Sequence, residues 1–152
     1  MEAVTLEDIK KRQDELAQMI SAFEAKNRPS EIVVPHRVVT LRPGERYAGI
    51  ILGDDGMPSH HLVLLPGEAD EVNWKDAQAW AEQMGGELPH RCEQELLFAN
   101  MRDEFASDWY WSNAQHAFGS GCAWCKNFGS GDLYLSHETI KLRARAVRRL
   151  PI

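Results

Sequence analysis

Three absences constrain this chain before any motif is read. No apolar run approaches the ~20 residues that a helix needs to cross a bilayer, so membrane insertion is not expected. Basic residues do not dominate: 17 Lys and Arg against 23 Asp and Glu leave a formal net charge of −6. A general nucleic-acid binder needs a basic face to displace counterions, so no nucleic-acid partner is expected either. Cysteine is scarce and odd in number (Cys92, Cys122 and Cys125), which speaks against a disulfide framework. The opening MEAVTLEDIKKRQDEL is acidic and amphipathic, not basic and then apolar as a secretion signal would be. The expected location is therefore the cytoplasm of the producing cell, with a virus particle left open as a later destination.

What is present divides the chain. All five tryptophans (Trp74, Trp80, Trp109, Trp111 and Trp124) lie from residue 74 onward in the 152-residue chain, so the core is expected there. The basic run from Lys141 to Arg149 reads as a solvated strand face paired with local carboxylates. The first segment reads as a helix capped by Thr5, with Asp8 three positions on in a variant capping box. Glu7 and Asp8 in the first turn and Lys26 and Arg28 near the end suit the helix dipole, and Pro29 forbids continuation. Its apolar residues alternate at intervals of three and four. Leu6, Gln13 and Ile20 fall at a, and Ile9, Leu16 and Phe23 at d, of a short heptad seam. The narrow seam and the polar linker after it predict self-association, as a dimer or a trimer, over an amphipathic helix lying on its own domain. A lone Gln13 at a would fix register. Residues 1–28 are thus read as an oligomerising helix, 29–45 as linker and extended segment, and 46–152 as the domain.

Along that domain, Tyr47 to Leu52 and His61 to Leu65 read as strands about a Gly53-Asp54-Asp55-Gly56 turn. Asn73 caps a helix, with Asp76 expected to complete the box; Trp74, Ala77, Ala81 and Met84 form its apolar face and Gly85-Gly86 ends it. A second helix runs from about Arg91 to Met101, with Leu96, Leu97, Ala99 and Met101 on its buried side. Short strands with glycine turns follow: Tyr110 to Asn113, Cys122 to Phe128, Asp132 to Leu135 and Leu142 to Arg148, the last with a bulge signalled at Val147. Helices flanked by antiparallel strands predict an α+β domain.

The succession Trp74-Lys-Asp-Ala77, Gly85-Gly86-Glu-Leu88-Pro89-His-Arg91, Glu95-Leu96-Leu97, Tyr110-Trp111-Ser112, Ala123-Trp124, Phe128, Gly131 and Arg145-Ala-Val147-Arg148 resembles the Lcl-type (DUF1566) domain of bacteria and prophages. That resemblance spans about Tyr47 to Leu150. It implies a C-type-lectin-like fold, distantly related to formylglycine-generating enzymes, with the two ends of the domain together and a loop-rich region presenting the binding surface. Trp74, Trp111 and Trp124 are expected in the structural core, with Arg91 and Arg148 as fold fasteners. The Glu-Pro-Asn, Gln-Pro-Asp and Trp-Asn-Asp triplets of calcium-dependent lectins are missing, and no acidic cluster offers the roughly six to eight oxygens calcium takes. No cofactor is therefore expected.

The residues then suggest where binding occurs. Gln115, His116 and Phe118, and Tyr134, His137 and Glu138, mix aromatic, amide and imidazole groups on glycine-flanked loops, as recognition surfaces do. The expected activity is a non-catalytic, calcium-independent binding module for a protein or glycan. Two other readings remain open at this point. His90, Cys92, Cys122 and Cys125 could hold a metal in a formylglycine-generating-enzyme-like protein, although thiols three apart on a strand face opposite ways. Alternatively, the first helix docks the chain on a larger assembly.

Overall fold

A computed structural model describes all residues except 1–3, 30, 33–35 and 119–120. The expected extended stretch through Val33, Val34 and Pro35, the linker end at Ser30 and the glycine turn at Gly119 lie outside the described residues. The chain divides into two compact units, residues 1–33 and 34–152.

The first unit is one helix, α1 (Leu6–Lys26). Thr5 accepts from the Asp8 N–H at 3.2 Å while the Asp8 carboxylate accepts from the Thr5 N–H at 3.0 Å, a reciprocal cap that satisfies two orphan donors. At 3.6 residues per turn its 21 residues span about 31 Å, and the six seam positions fall within a stripe about 100° wide.

The second unit is α+β. Its elements are β1 (Arg46–Leu52), β2 (Pro58–Leu64), β3 (Ala69–Val72), α2 (Trp74–Gln83), α3 (Arg91–Asn100), a single 3₁₀ turn (Arg102–Glu104), β4 (Trp109–Gln115), β5 (Cys122–Asn127), β6 (Leu133–His137), β7 (Leu142–Ala144) and β8 (Val147–Pro151). One sheet is ordered β1-β2-β8 and the other β3-β7-β4-β5-β6. β2 is central in the first, antiparallel to both neighbours. The domain's first and last strands therefore share a sheet.

Two hydrophobic clusters follow from the period-2 alternation of β4. Trp111 joins Ala69 of β3, Ala77 and Ala81 of α2, Ala123, Cys125, Ala144 and Ala146, where six alanines leave room for the buried indole. Its neighbour Tyr110 joins Leu97 of α3, Met101 just beyond that helix, Leu62, Leu64, Phe128 and Val147. The two helices thus serve different clusters.

Several expectations are corrected here. The run Leu142 to Arg148 is not one bulged strand but two strands in different sheets. The chain crosses between them at Arg145 and Ala146. The Arg145 guanidinium donates to the Leu65 and Glu104 carbonyls, and Leu65 N–H donates to the Ala146 carbonyl at 2.9 Å. These bonds fix a corner that alternation alone does not reveal. On α3 the buried positions are Glu93, Gln94 and Leu97, while Ala99 is exposed. Met84 lies beyond α2 and is exposed. The Asp76 carboxylate accepts from the Asn73 side chain rather than from its backbone, so that box is only half formed. Trp124 is half-buried and Arg91 exposed, so neither belongs to the core.

Buried polar groups tie the layers together. Glu93 is fully buried and accepts from Arg149 Nε at 2.6 Å, Arg149 Nη2 at 2.9 Å, His60 Nε2 at 3.0 Å and its own cap, the His90 N–H, at 2.9 Å. Burial alone would raise its pKa. The Arg149 hydrogen bond, the His90 N–H and the guanidinium charge outweigh that and hold the carboxyl below the usual range. Gln94 donates to the Tyr110 and Trp111 carbonyls, both at 3.3 Å. Arg148 grips Glu45 through Nε at 2.8 Å and Nη2 at 2.7 Å and reaches the Thr40 carbonyl at 3.0 Å.

Candidate functional site

The end of β4 is where the backbone departs from regularity. Trp111 pairs with Cys125, but Gln115, four residues on, pairs with Ala123, two residues back. β4 therefore carries two extra residues in a wide bulge, and bulges re-aim the side chains beyond them. Several polar groups tie the bulge to its surroundings. Ser112, fully buried, donates its hydroxyl to the Trp124 carbonyl at 2.8 Å and accepts from the Ala114 N–H at 3.2 Å. The Asn113 N–H donates to the Pro89 carbonyl at 2.9 Å.

Beyond the bulge lies His116, whose N–H donates to the Cys122 carbonyl at 2.9 Å. Its ring sits 6.5 Å from that of Trp124 and 5.6 Å from that of Phe118. Its Nδ1 is buried and has no hydrogen-bond partner among the described residues. Phe118 is 88% exposed, far more than a side chain with a place in the core. Arg91, the first residue of α3, lays its guanidinium 4.0 Å from the centre of the Trp124 ring, a cation–π contact. Arg91, Trp124, His116 and Phe118 thus form one linked aromatic and cationic patch, built from α3, β5 and the turn after β4.

The other expected loop residues divide between the two faces of β6. Trp124 pairs with Leu135 and Cys122 with His137, so Leu135 and His137 share the Trp124 face. Tyr134 pairs with Cys125 on the opposite face, its ring 5.9 Å from Trp109. The strand's two-residue period separates Tyr134 from the patch. Gln115 and Glu138 meet directly, Nε2 to Oε1 at 2.6 Å, and the Glu138 carbonyl accepts from Trp74 N–H at 3.0 Å. His137 Nδ1 contacts Thr139 Oγ1 at 2.8 Å.

Trp111 is fully buried and donates its indole N–H to the Val72 carbonyl at 2.9 Å; Trp74 donates to the Ser112 carbonyl at 2.8 Å. Leu6, Ile9, Gln13, Leu16, Ile20 and Phe23 are each exposed on α1. His90 caps α3 and Cys92 is exposed on its first turn, while Cys125 is buried in the Trp111 cluster. Among the described residues no three His, Cys, Asp or Glu side chains come together as a metal-holding group. The set His90, Cys92, Cys122 and Cys125 is not assembled. Burial pushes the Cys125 thiol up to about 11, and its Sγ faces the Tyr134 carbonyl at 3.4 Å.

One constellation outside the patch has the order of a hydrolase triad. Ser59 Oγ lies 3.1 Å from His60 Nδ1, and His60 Nε2 3.0 Å from Glu93. Its carboxylate, however, is already saturated by Arg149 and the His90 N–H, so it has little left with which to polarise His60. A separate cleft of about 290 Å³ is lined by Gln78, Glu82, Gly86, Glu87, Leu88 and Asn113 and shares no residue with the patch. Sequence reasoning missed Arg91 and Trp124 as patch residues, because their contact brings the first residue of α3 against a β5 side chain 33 positions away in sequence.

No helix among the described residues is long and apolar enough to cross a membrane. No protein-family model matches this chain, and a comparison with curated proteins found no match.

Proposed function

We propose that residues 46–152 form a C-type-lectin-like domain of the Lcl type, and that the chain is a non-catalytic, calcium-independent binding module of phage or prophage origin. Support for the architecture comes from β1 and β8 flanking β2, which brings the ends of the domain together, and from two helices serving two clusters about a second sheet. Its ligand is a protein or glycan. The observation that carries the reading is the patch of Arg91, Trp124, His116 and Phe118, in which an exposed aromatic side chain and a guanidinium-backed indole stand at the end of the β4 bulge. Rigid aromatic side chains with few rotors make effective contact surfaces.

The α1 seam supplies multiplicity. Its exposed Leu6, Ile9, Leu16, Ile20 and Phe23 would be covered by further copies of the same helix, and several linked sites raise avidity without new contacts.

The test is a screen of the full chain on a glycan array and a peptide-display library, with a chelator present throughout. The reading requires binders that survive the chelator and lose roughly tenfold or more in affinity with Phe118→Ala. Binders that demand calcium, or that ignore Phe118, would overturn it.

A further inference from the structure

Four strands stand at sheet edges, and three of them carry protection against an added strand. β1 has two register breaks, at Tyr47/Gly49 and Ile51/Leu52. β8 carries Arg148, Arg149 and Pro151, and its Pro151 carbonyl is taken by Arg37. β3 is four residues long with two carboxylates, and Glu71 has a left-handed φ of 51°. β6 has none of these devices. Leu133-Tyr134-Leu135-Ser136-His137 contains no charge and no proline, and it pairs with β5 in unbroken register.

The ladder fixes which backbone groups of β6 face outward. Asn127 N–H donates to Asp132 O at 2.8 Å and Glu138 N–H to Gly121 O at 2.9 Å. In an antiparallel pair the inward-facing residues alternate, so Tyr134 and Ser136 turn their N–H and C=O groups to β5. Leu133, Leu135 and His137 turn theirs away. The His137 carbonyl accepts from Ile140 N–H. The three outward N–H groups and the carbonyls of Leu133 and Leu135 have no partner among the described residues.

We infer that β6 receives an extended segment of a partner protein as a sixth strand, uncharged at its centre and basic at both flanks. This rests on the binding-module reading and deepens it, since Leu135 and His137 share the Trp124 face. The charge of the site selects the occupant. Asp132 and Glu138 bracket β6 with one carboxylate at each end and no lysine or arginine between them. A second copy paired antiparallel about Leu135 would set Asp132 against Glu138 of that copy at both ends, and like charges directly opposite destabilise a ladder. Basic flanks on a partner strand meet the same two carboxylates favourably. Tyr134, 61% exposed, and Leu133, 39% exposed, offer apolar contact on opposite faces of the added strand. Backbone bonding along an open edge, with side chains read alternately, is a recurrent mode of peptide recognition.

The experiment is residue-resolved amide hydrogen exchange on the full chain with short synthetic peptides. One probe alternates Thr and Val between terminal lysines; the second replaces the lysines with glutamates; the third is the lysine peptide N-methylated at alternate amides. The lysine peptide is expected to slow exchange at Leu133, Leu135 and His137 by roughly tenfold, with the other two peptides markedly weaker. Leu135→Pro removes an outward N–H that makes no internal ladder bond and should abolish the protection. Leu135→Lys, which keeps the backbone intact, should abolish it too. No protection at β6, or equal protection by all three peptides, overturns the inference. Concentration-dependent protection at these amides without peptide would assign the edge to a second copy and overturn it as well. Binders from the screen that perturb Phe118 and Trp124 but not β6 would leave the module reading standing and sink strand addition alone; the absence of both responses would sink both.

Discussion

Gly85 and Gly86 end α2, and alanine at each tests a different force. A Cβ on Gly86 would stand 2.3 Å from the Val147 carbonyl oxygen and 2.6 Å from Leu65 Cδ1. The carbonyl is backbone and cannot rotate away. It also accepts from Glu87 N–H at 2.9 Å, while Val147 N–H donates to Glu87 O at 2.8 Å, a two-bond bridge between the α2–α3 connection and β8. Relief requires β8 to retreat and that bridge to lengthen. Overpacking costs about 1–3 kcal/mol and each weakened hydrogen bond about 1 kcal/mol, so Gly86→Ala is expected to cost about 3 kcal/mol. For a chain of this size that corresponds to a fall in Tm of roughly 6–12 °C. Gly85 has φ +85 and nothing within 4 Å of its would-be Cβ, so Gly85→Ala pays only for the left-handed backbone, about 1–2 kcal/mol. Calorimetry of both variants at one protein concentration separates them. Gly86→Ala melting within about 2 °C of the parent, or above Gly85→Ala, would refute the close approach of this loop to β8.

Other consequences are equally direct. Glu45 and Glu93 both have folded-state pKa values held below their ordinary value of 4.5, Glu45 chiefly by its hydrogen bond from Arg148. The stability they contribute is therefore present above the unfolded value and is lost as pH falls through the folded ones. Urea midpoints should drop below about pH 4.5, and Glu45→Gln should flatten that drop. Cys125 at about 11 is thiolate in only about one molecule per thousand at pH 8, so a thiol reagent should label exposed Cys92 in the native protein and reach Cys125 only on unfolding. Tyr110→Phe removes a hydroxyl that donates to Glu68 at 2.7 Å and accepts from Ala106 N–H at 2.9 Å; about 1–3 kcal/mol of stability should go with it, measured by urea titration. The double variant Leu16→Asp and Ile20→Asp should convert the full chain from oligomer to monomer in light scattering, and an unchanged mass would remove the α1 seam from the account.

How much of this was legible in the sequence depended on range. The Thr5–Asp8 cap and the bounds of α2 and α3 follow from contacts within one turn, and periodicity read them well. β3 was missed because Asp70 and Glu71 hide a strand held by pairing with β7. The corner at Arg145 was missed because the slip in alternation at Val147 fits a bulge as well as a change of sheet; only the Leu65 and Glu104 carbonyls, far away in sequence, decide it. Glu93 and Gln94 are polar and fall outside the buried side expected for α3, and their burial depends on Arg149 and on the carbonyls of β4. The loop residues were picked by composition, which does not know that β6 puts Tyr134 and His137 on opposite faces. Nor could composition show that Arg91 crosses to Trp124, so half of the patch had been assigned to the core.

The five indole N–H signals in a two-dimensional NMR spectrum provide the most direct test of the binding claim. A binder from the array or the peptide library, titrated into the full chain with a chelator present, should move the Trp124 signal beside His116 and Arg91. The buried Trp111 signal, tied to Val72, and the Trp74 signal, tied to Ser112, should stay in place. Movement of Trp74 or Trp111 with Trp124 unmoved would place recognition elsewhere on the domain and contradict the account.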